Sequence, residues 1–508
     1  MTIKLTPEEA QDINIIRREM ARELGHKPKE VRIIKKSVDA RGRQISILLN
    51  VEENVPLKYE NEFSYRDVAD ARQVIIVGSG PAGLFCALRL IEHGIKPVII
   101  ERGREVLGRK QDIALLNRNE SLNAESNYCF GQGGAGTFSD GKLYTRSKKR
   151  GNNRRIFEIF HAHGAQDEIL YETHNHIGTD RLPEVIRNIC DTITSHGGEI
   201  HYETKMTDLI VKNNCAIGII CNDGAEFRGE AVVLASGHSA RDIYEMLNRN
   251  NIALEAKGFA IGVRAEHPQH LINDIQYHRQ HSKYLPSASY SLVTQVEGRG
   301  VYSFCMCPGG FIVPSATEPE QIVVNGMSSS QRNSPFANSG IVVEIHPEDL
   351  PEEFQQYGAM AGLKFQESIE HLAYVNNGGE LQTAPAQRIT DFVKGKVSFD
   401  LPKSSYLPGL VSSPLHFWLP QMIGKRLQQG FRDFDRKMHG YLTSEAVIVG
   451  VESRSSSPVR IPRNPETLSH IEIERLYPAG EGSGYAGGIT SSAIDGERIA
   501  DAIRQVLS

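Results

Sequence analysis

The chain has 508 residues, 40% of them hydrophobic and 23% charged, with 57 Lys and Arg against 62 Asp and Glu for a net charge of −5. That balance is one of a folded chain too long for a single ordinary core, so two or three domains are expected, and it argues against general nucleic-acid or anionic-membrane binding. Seven scattered cysteines and the polar start MTIKLTPEEAQDI point to a reducing cytoplasm without an export signal, and no apolar run approaches the roughly 20 residues that span a bilayer.

Residues 1–70 are expected to form a small α/β domain. PEEAQDINIIRREMARELG has helical apolar spacing, and VRIIKKSVDA and RQISILLNVE read as strands. Polar ENEFSYRDVADAR then leads to a strand, a glycine turn, a helix and a second strand (VIIVG, PAGLFCALRLIEHG, KPVIIE), which is a βαβ unit. A helix over LPEVIRNICDTITSHG, the short strand EIHYE, a strand meander through 206–229 and the buried strand AVVLAS follow. Far downstream, the buried strand RLYPAG precedes a helix in ITSSAIDGERIADAIRQVL. The intervening stretch carries β-rich segments (FAIGVRA, SYSLVTQV, VYSFCMC, QIVVNGM, GIVVEI) and two helical ones, PEEFQQYGAMAGLKFQESIEHL and QMIGKRLQQGFRDF. The expected fold class is therefore α/β: a discontinuous Rossmann-like domain (71–255 and 446–508), an inserted β-rich α+β domain (256–445) and the N-terminal unit.

Gly78, Gly80 and Gly83 spell G-x-G-x-x-G directly between a strand and a helix, with Ser79, Pro81 and Ala82 filling the turn. In that context the glycines permit a tight turn, a close backbone approach by a pyrophosphate, and close helix–strand packing, with the positive helix end toward the phosphates. Glu101, followed by Arg102, closes the next strand, where a carboxylate would accept from a ribose diol. A second glycine-rich loop, CFGQGGAGTFSDGKLYTR, offers Gly133, Gly134, Ala135 and Gly136 with the hydroxyls of Thr137 and Ser139, more than an NAD site needs here, so FAD is favoured. Ser236 and Gly237 form a small-residue turn after AVVLA. Gly480, Glu481, Gly487, Gly488 and Ile489 then place an acid suited to ribityl hydroxyls beside a helix start suited to negative charge on a reduced flavin.

With GGAGTFSDGKL, FCMCPGG, GVESRSSSPVRI and PAGEGSGYAGGI in place, the chain resembles a two-dinucleotide-fold flavoprotein of the glutathione-reductase-like FAD superfamily. It is most similar to the bacterial FAD-dependent dehydrogenase family described as NAD(FAD)-utilising dehydrogenases, and KKSVDAR resembles that family's leading domain. Many superfamily members carry Asp where this chain has Glu481. The resemblance implies fold and cofactor but no particular substrate.

The reading is an FAD-dependent oxidoreductase in which non-covalently bound FAD exchanges hydride with a small organic molecule held by the inserted domain, its oligomeric state unassigned. Only one full dinucleotide fingerprint occurs, so NADH or NADPH would act as a transient visitor. For substrate contact, Arg454 and Arg460 flank a hydroxyl-rich loop suited to carboxylate or phosphate, and Cys305 and Cys307, two apart on a strand, are expected to face one side. The same arginines fit a solvated turn, and the same thiols fit core packing. The pairs His161/His163 and His174/His176 lack a ligand frame, so no metal is expected, and the basic run RSKKRGNNRR (146–155) reads as a solvated loop or a docking patch. Two alternatives stand beside this reading: an RNA-modifying flavoprotein, and a non-enzymatic flavin sensor or electron-transfer partner.

Overall fold

The computed structural model describes residues 1–42, 44–53, 63–144 and 151–508. In the N-terminal unit, strands Thr2–Leu5, Ser46–Glu53 and Val31–Asp39 lie side by side in that order, all antiparallel. Helix Ile13–Leu24 packs Ile16 and Met20 onto them, starting where the Asp12 carboxylate accepts from Asn14 N. The edge strand Thr2–Leu5 was not legible in the sequence. This unit is stitched to both neighbours. Lys36 N donates to Tyr171 O at 2.9 Å, Thr173 N donates to Lys36 O at 3.1 Å, and Ile45 is buried in the core of the inserted domain. Residues past 62 behave differently, since Val68 is buried in the dinucleotide core and its N–H bonds His196 O. That core therefore begins before the expected boundary at 70.

The dinucleotide domain is built on a five-stranded parallel sheet in the order Leu476–Pro478, Val232–Leu234, Gln73–Val77, Lys96–Ile100, Glu199–His201. All but the edge strand Glu199–His201 are buried on both faces, which explains their continuous apolar runs. On one face helix Pro81–Glu92 packs against helix Ile489–Leu507. A Cβ on Gly496 would stand 2.1 Å from Ala82 O, so only glycine permits this approach. The antiparallel meander Met206–Lys212, Cys215–Cys221 and Glu226–Arg228 forms a separate three-stranded sheet.

The inserted region forms a seven-stranded sheet in the order Val293–Val296, Arg299–Cys307, Phe336–Ile345, Phe259–Pro268, Val447–Glu452, Ala384–Arg388, Leu410–Ser412. Strand Val447–Glu452 pairs with Phe259–Pro268, so this sheet reaches past the expected limit at 445. Two local departures matter. The single helix expected over PEEFQQYGAMAGLKFQESIEHL is split into Glu352–Gln355 and Ala361–Val375, with Gly358 in a left-handed conformation (φ +54°) between them. The strand Arg299–Cys307 loses register between Phe304 and Cys307, where Cys305 takes φ +45°. Of the basic run, residues 146–150 lie outside the described residues. The rest enters helix Asn153–Ala162, where Arg154 pairs with Glu158 and Arg155 with Glu92 and Glu497.

Candidate functional site

The carboxyl ends of the central parallel strands open into a cleft lined by both glycine-rich loops. The glycines of the fingerprint divide the work there. Gly78 has φ +104°, and a Cβ on it would lie 2.5 Å from Ala235 O; a Cβ on Gly83 would lie 2.0 Å from Gly78 O. Those two are required by the protein's own packing. Gly80 is different: nothing of the protein lies nearer to its would-be Cβ than Gly134 Cα at 3.9 Å, and the residue faces the cleft.

Helices Pro81–Glu92 and Ile489–Leu507 both begin at this cleft, on Gly80 and Gly488, and neither has a side-chain cap. Uncapped helix starts leave backbone N–H donors and the positive end of each macrodipole for an anion to satisfy. A Cβ on Gly487 or Gly488 would meet nothing within 4 Å, so the second start is as open as the first. Two donor ends flanking one long, glycine-walled cleft fit a dinucleotide with a central pyrophosphate.

Most of the expected cofactor contacts are in the wall: Gly78, Gly80, Pro81, Ala82, Glu101, Arg102, Gly134, Ala135, Gly136, Ser139, Ser236, Gly237, Gly480, Glu481, Gly487, Gly488 and Ile489. Four are not. Ser79, Gly83, Gly133 and Thr137 stand behind it, and the Thr137 hydroxyl is spent on Gln132 O at 2.7 Å. Glu101 is also corrected in role. One carboxylate oxygen accepts from Ser79 N and Ser79 Oγ (3.0 and 2.7 Å), the other from Gly103 N and Gly131 N (both 2.9 Å). Four donors fill its acceptor capacity, so in this structure Glu101 ties the two glycine loops together instead of awaiting a ribose. Arg102 Nη2 forks onto Asp242 at 2.7 and 2.8 Å, with its guanidinium over the Phe130 ring.

Glu481 lines the cleft, with His238 Nε2 4.0 Å from its carboxylate. Burial lifts its carboxyl to about 7 against a partial offset from Lys257. Burial, with repulsion from Arg454 and Arg241, pulls His238 down to about 4, so it is neutral at physiological pH.

The inserted domain closes the cleft with Phe304, Cys305, Asn325, Arg454 and Ser455. Here the sequence expectation fails for the thiols. The bulge reverses the alternation of the strand: Cys305 opens to the cleft, while Cys307 is buried with Sγ 3.4 Å from Lys142 Nζ and 3.7 Å from Arg264 Nη2. Desolvation pushes the Cys305 thiol up to about 11 against the opposing pull of Lys142 and Arg264. The arginines also part company. Arg454 is buried on Glu370 (2.9 and 3.1 Å), Thr317 and Gln321, sharing that carboxylate with Arg241. Burial would raise Glu370, but the two guanidiniums outweigh it and hold the group near 2. Arg460 is outside the cleft wall, 3.7 Å from Glu255 and stacked on Tyr485. The histidine pairs are engaged locally: His161 on Asp167, His163 on Ile159 O and Thr192, His174 edge-on to Tyr144, and His176 on Ser330 O.

One organising residue escaped sequence reading. Arg109 is fully buried and donates to four backbone carbonyls of the cleft loop: Asn127, Tyr128, Gly131 and Gln132, at 2.8, 2.9, 3.3 and 2.9 Å. Burial lowers its pKa to about 10, which leaves it charged. Its signal was an arginine within the apolar stripe Val106, Arg109, Ile113, Leu116, a place that a side chain takes only when the fold supplies partners.

Three family models match: "Pyridine nucleotide-disulphide oxidoreductase" over residues 72–243, "FAD-dependent protein, C-terminal domain-like" over 258–455, and a domain of unknown function over 1–53. An uncharacterised protein of Clostridium beijerinckii is 40% identical across 97% of this chain and 96% of its own length. Among solved structures, CtdE in complex with FAD is 12% identical (86% of this chain, 85% of that one, TM-score 0.34). The L-proline dehydrogenase of P. horikoshii is likewise 12% identical (86% and 94%, TM-score 0.35). Joined to a relative along nearly its whole length, and to flavoprotein models across both large domains, the chain belongs to the FAD-dependent oxidoreductase family.

Proposed function

We propose that the protein transfers hydride between bound FAD and a small organic substrate admitted between the dinucleotide loops and the inserted domain. The observation that supports this most is the shared wall: Phe304, Cys305 and Asn325 come from the inserted domain, yet they line the same cleft as the glycine loops and the two helix starts. FAD supplies the redox chemistry when bound; the protein supplies orientation, exclusion of water and charge. Gly80 and the start of the first helix would hold the pyrophosphate, Glu481 would meet the ribityl chain, and Gly488 and Ile489 would present backbone donors to the flavin's electron-rich edge, with the Gly487 N–H spent on Ser491 Oγ. Arg454, held on Glu370, Thr317 and Gln321, braces the wall and does not grip the substrate. NADH or NADPH would serve as a transient reductant admitted to the same cleft.

The test begins with acid precipitation, which should release all yellow colour as FAD. Anaerobic bleaching is then followed against NADH, NADPH and a metabolite panel, together with mass spectrometry of any co-purifying small molecule. Colour retained in the pellet, release of FMN in place of FAD, or a flavin that no donor bleaches faster than buffer would overturn the proposal.

A further inference from the structure

The seven-stranded sheet ends at strand Leu410–Ser412, and beside this edge a stretch of surface combines bare apolar side chains with unpaired positive charge. None of its residues lines the cleft. After helix Ile389–Lys394 the chain turns through Gly395 and runs along the edge. Gln387 Nε2 bonds Lys396 O at 2.6 Å and His416 Nδ1 at 2.7 Å, and Ser412 Oγ donates to Ser398 O at 2.5 Å. These bonds hold residues 396–398 next to the short helix Leu415–Trp418. Ser398 turns inward, so its neighbours turn out: Val397 is 53% exposed and Phe399 100%, while Phe417, on the adjacent helix, is 83% exposed.

Positive charge surrounds them. Lys394 and Lys396 flank the turn, and the helix Gln421–Lys437 adds Lys425 and Arg432, seven residues apart and so on one face. Arg432 Nη2 donates to Val393 O and Gln428 Nε2 to Phe392 O, both at 2.7 Å, which fixes that face against the turn. None of these four cations has an ion-pair partner among the described residues. The two nearby acids are already taken, Asp400 by Arg388 at 2.8 Å and Asp391 by Ser398 and Arg388.

We propose that this patch docks the protein reversibly on an anionic phospholipid bilayer. A folded chain in water gains nothing from a wholly bare phenylalanine, and clustered exposed apolar groups mark an interaction surface. A second copy is the poorer occupant, because a two-fold contact would set the cations against their own images. The rings stand out from the surface, as suits insertion among headgroups and not reception of a partner's side chain. An anionic bilayer satisfies both halves: Phe399 and Phe417 enter the headgroup–acyl boundary while the lysine and arginine stems spread along it. The overall charge of −5 makes this attraction local and oriented.

The experiment is co-sedimentation of the full-length, flavin-containing protein with vesicles of phosphatidylcholine alone and of phosphatidylcholine mixed equally with phosphatidylglycerol. Binding is expected only to the mixed vesicles, weakening as salt rises. K394Q/K396Q should lower the partition roughly 30-fold, equivalent to about 2 kcal/mol at about 1 kcal/mol per basic residue. F399S/F417S should remove binding, and both variants should keep their flavin and melting temperature, since every altered side chain is exposed. The proposal is overturned by absence of binding to the anionic vesicles, or by unchanged binding in either variant. It is equally overturned if light scattering shows a wild-type dimer that F399S/F417S turns into a monomer, which makes the face a protein interface.

Discussion

Replacing Gly80 by alanine should separate folding from cofactor binding. Gly80 caps the first helix at φ −71° and ψ −178°, a conformation open to any residue, and the new Cβ would have Gly134 Cα as its nearest neighbour, at 3.9 Å. Losing glycine at an N-cap costs about 1 kcal/mol, and restricting the unfolded chain returns about 0.4–1 kcal/mol. The flavin-free protein should therefore unfold within about 1 kcal/mol of wild type. Binding should suffer much more, because the methyl group occupies the cleft side of the turn, where the pyrophosphate must touch backbone. Loss of two hydrogen bonds to a charged group, at about 1.5–3 kcal/mol each, amounts to at least about 3 kcal/mol, or roughly 100-fold in affinity. Flavin content after desalting, calorimetric titration of flavin-free protein with FAD, and melts with and without added FAD give the comparison. Wild type should gain stability as FAD is added, and the variant should gain little. If Gly80→Ala binds FAD as tightly as wild type, the pyrophosphate is not at this turn. If the flavin-free variant is badly destabilised, the free space at Gly80 has been misjudged.

Arg109→Met leaves Asn127 O and Tyr128 O without a donor and takes one donor from each of Gly131 O and Gln132 O, which keep others, so unfolding stability should fall by roughly 2–5 kcal/mol and flavin should be lost with it, as read by denaturant titration. An unaltered denaturation midpoint would show that the loop holds itself. Glu481 is raised from 4.5 to about 7 in the folded protein. The unfolded chain therefore releases this proton first, and the contribution is full below about pH 4.5 and lost as pH rises toward 7. With partial exposure to the cleft, up to about 2 kcal/mol is at stake. Flavin-free Glu481→Gln should show a flatter stability profile across that window, and parallel profiles would refute the assignment. Cys305, with its thiol at about 11, should alkylate slowly at pH 8 and about tenfold faster per pH unit up to that point. Because the two thiols are parted by the bulge, anaerobic reduction should consume only the flavin's electrons. Two further electrons, abolished in C305S/C307S, would restore a redox-active pair.

The sequence made the cofactor domain legible because its determinants are local. A strand, three glycines at fixed spacing and a helix specify a phosphate turn within 20 residues, and the loops around Gly134 and Gly487 repeat the same small-residue logic. Position in space was harder to read. Strand periodicity put Cys305 and Cys307 on one side, but alternation holds only in an unbroken ladder, and one bulge removed it. Thr137 carries the hydroxyl a phosphate site could use and satisfies Gln132 O with it; which acceptor it meets depends on how the loop closes. Likewise, Arg454 and Arg460 look equivalent six residues apart, yet one is buried on Glu370, 84 positions away, and the other lies at the surface.

By itself, then, the sequence determined the fold class, the dinucleotide turn and the small-residue loops that let a cofactor approach backbone, since these follow from short-range sterics and hydrogen-bond geometry. Only the tertiary structure decided which carboxylate is free and which is occupied: Glu101 is saturated by four donors, and Glu481 stands open in the cleft. The structure also drew the strand Val447–Glu452 into the inserted sheet and made Arg109 the hub of the cleft loop. The physical reason is common to all of these. A buried polar group is defined by its partners, and those partners come from chain segments that no local pattern links.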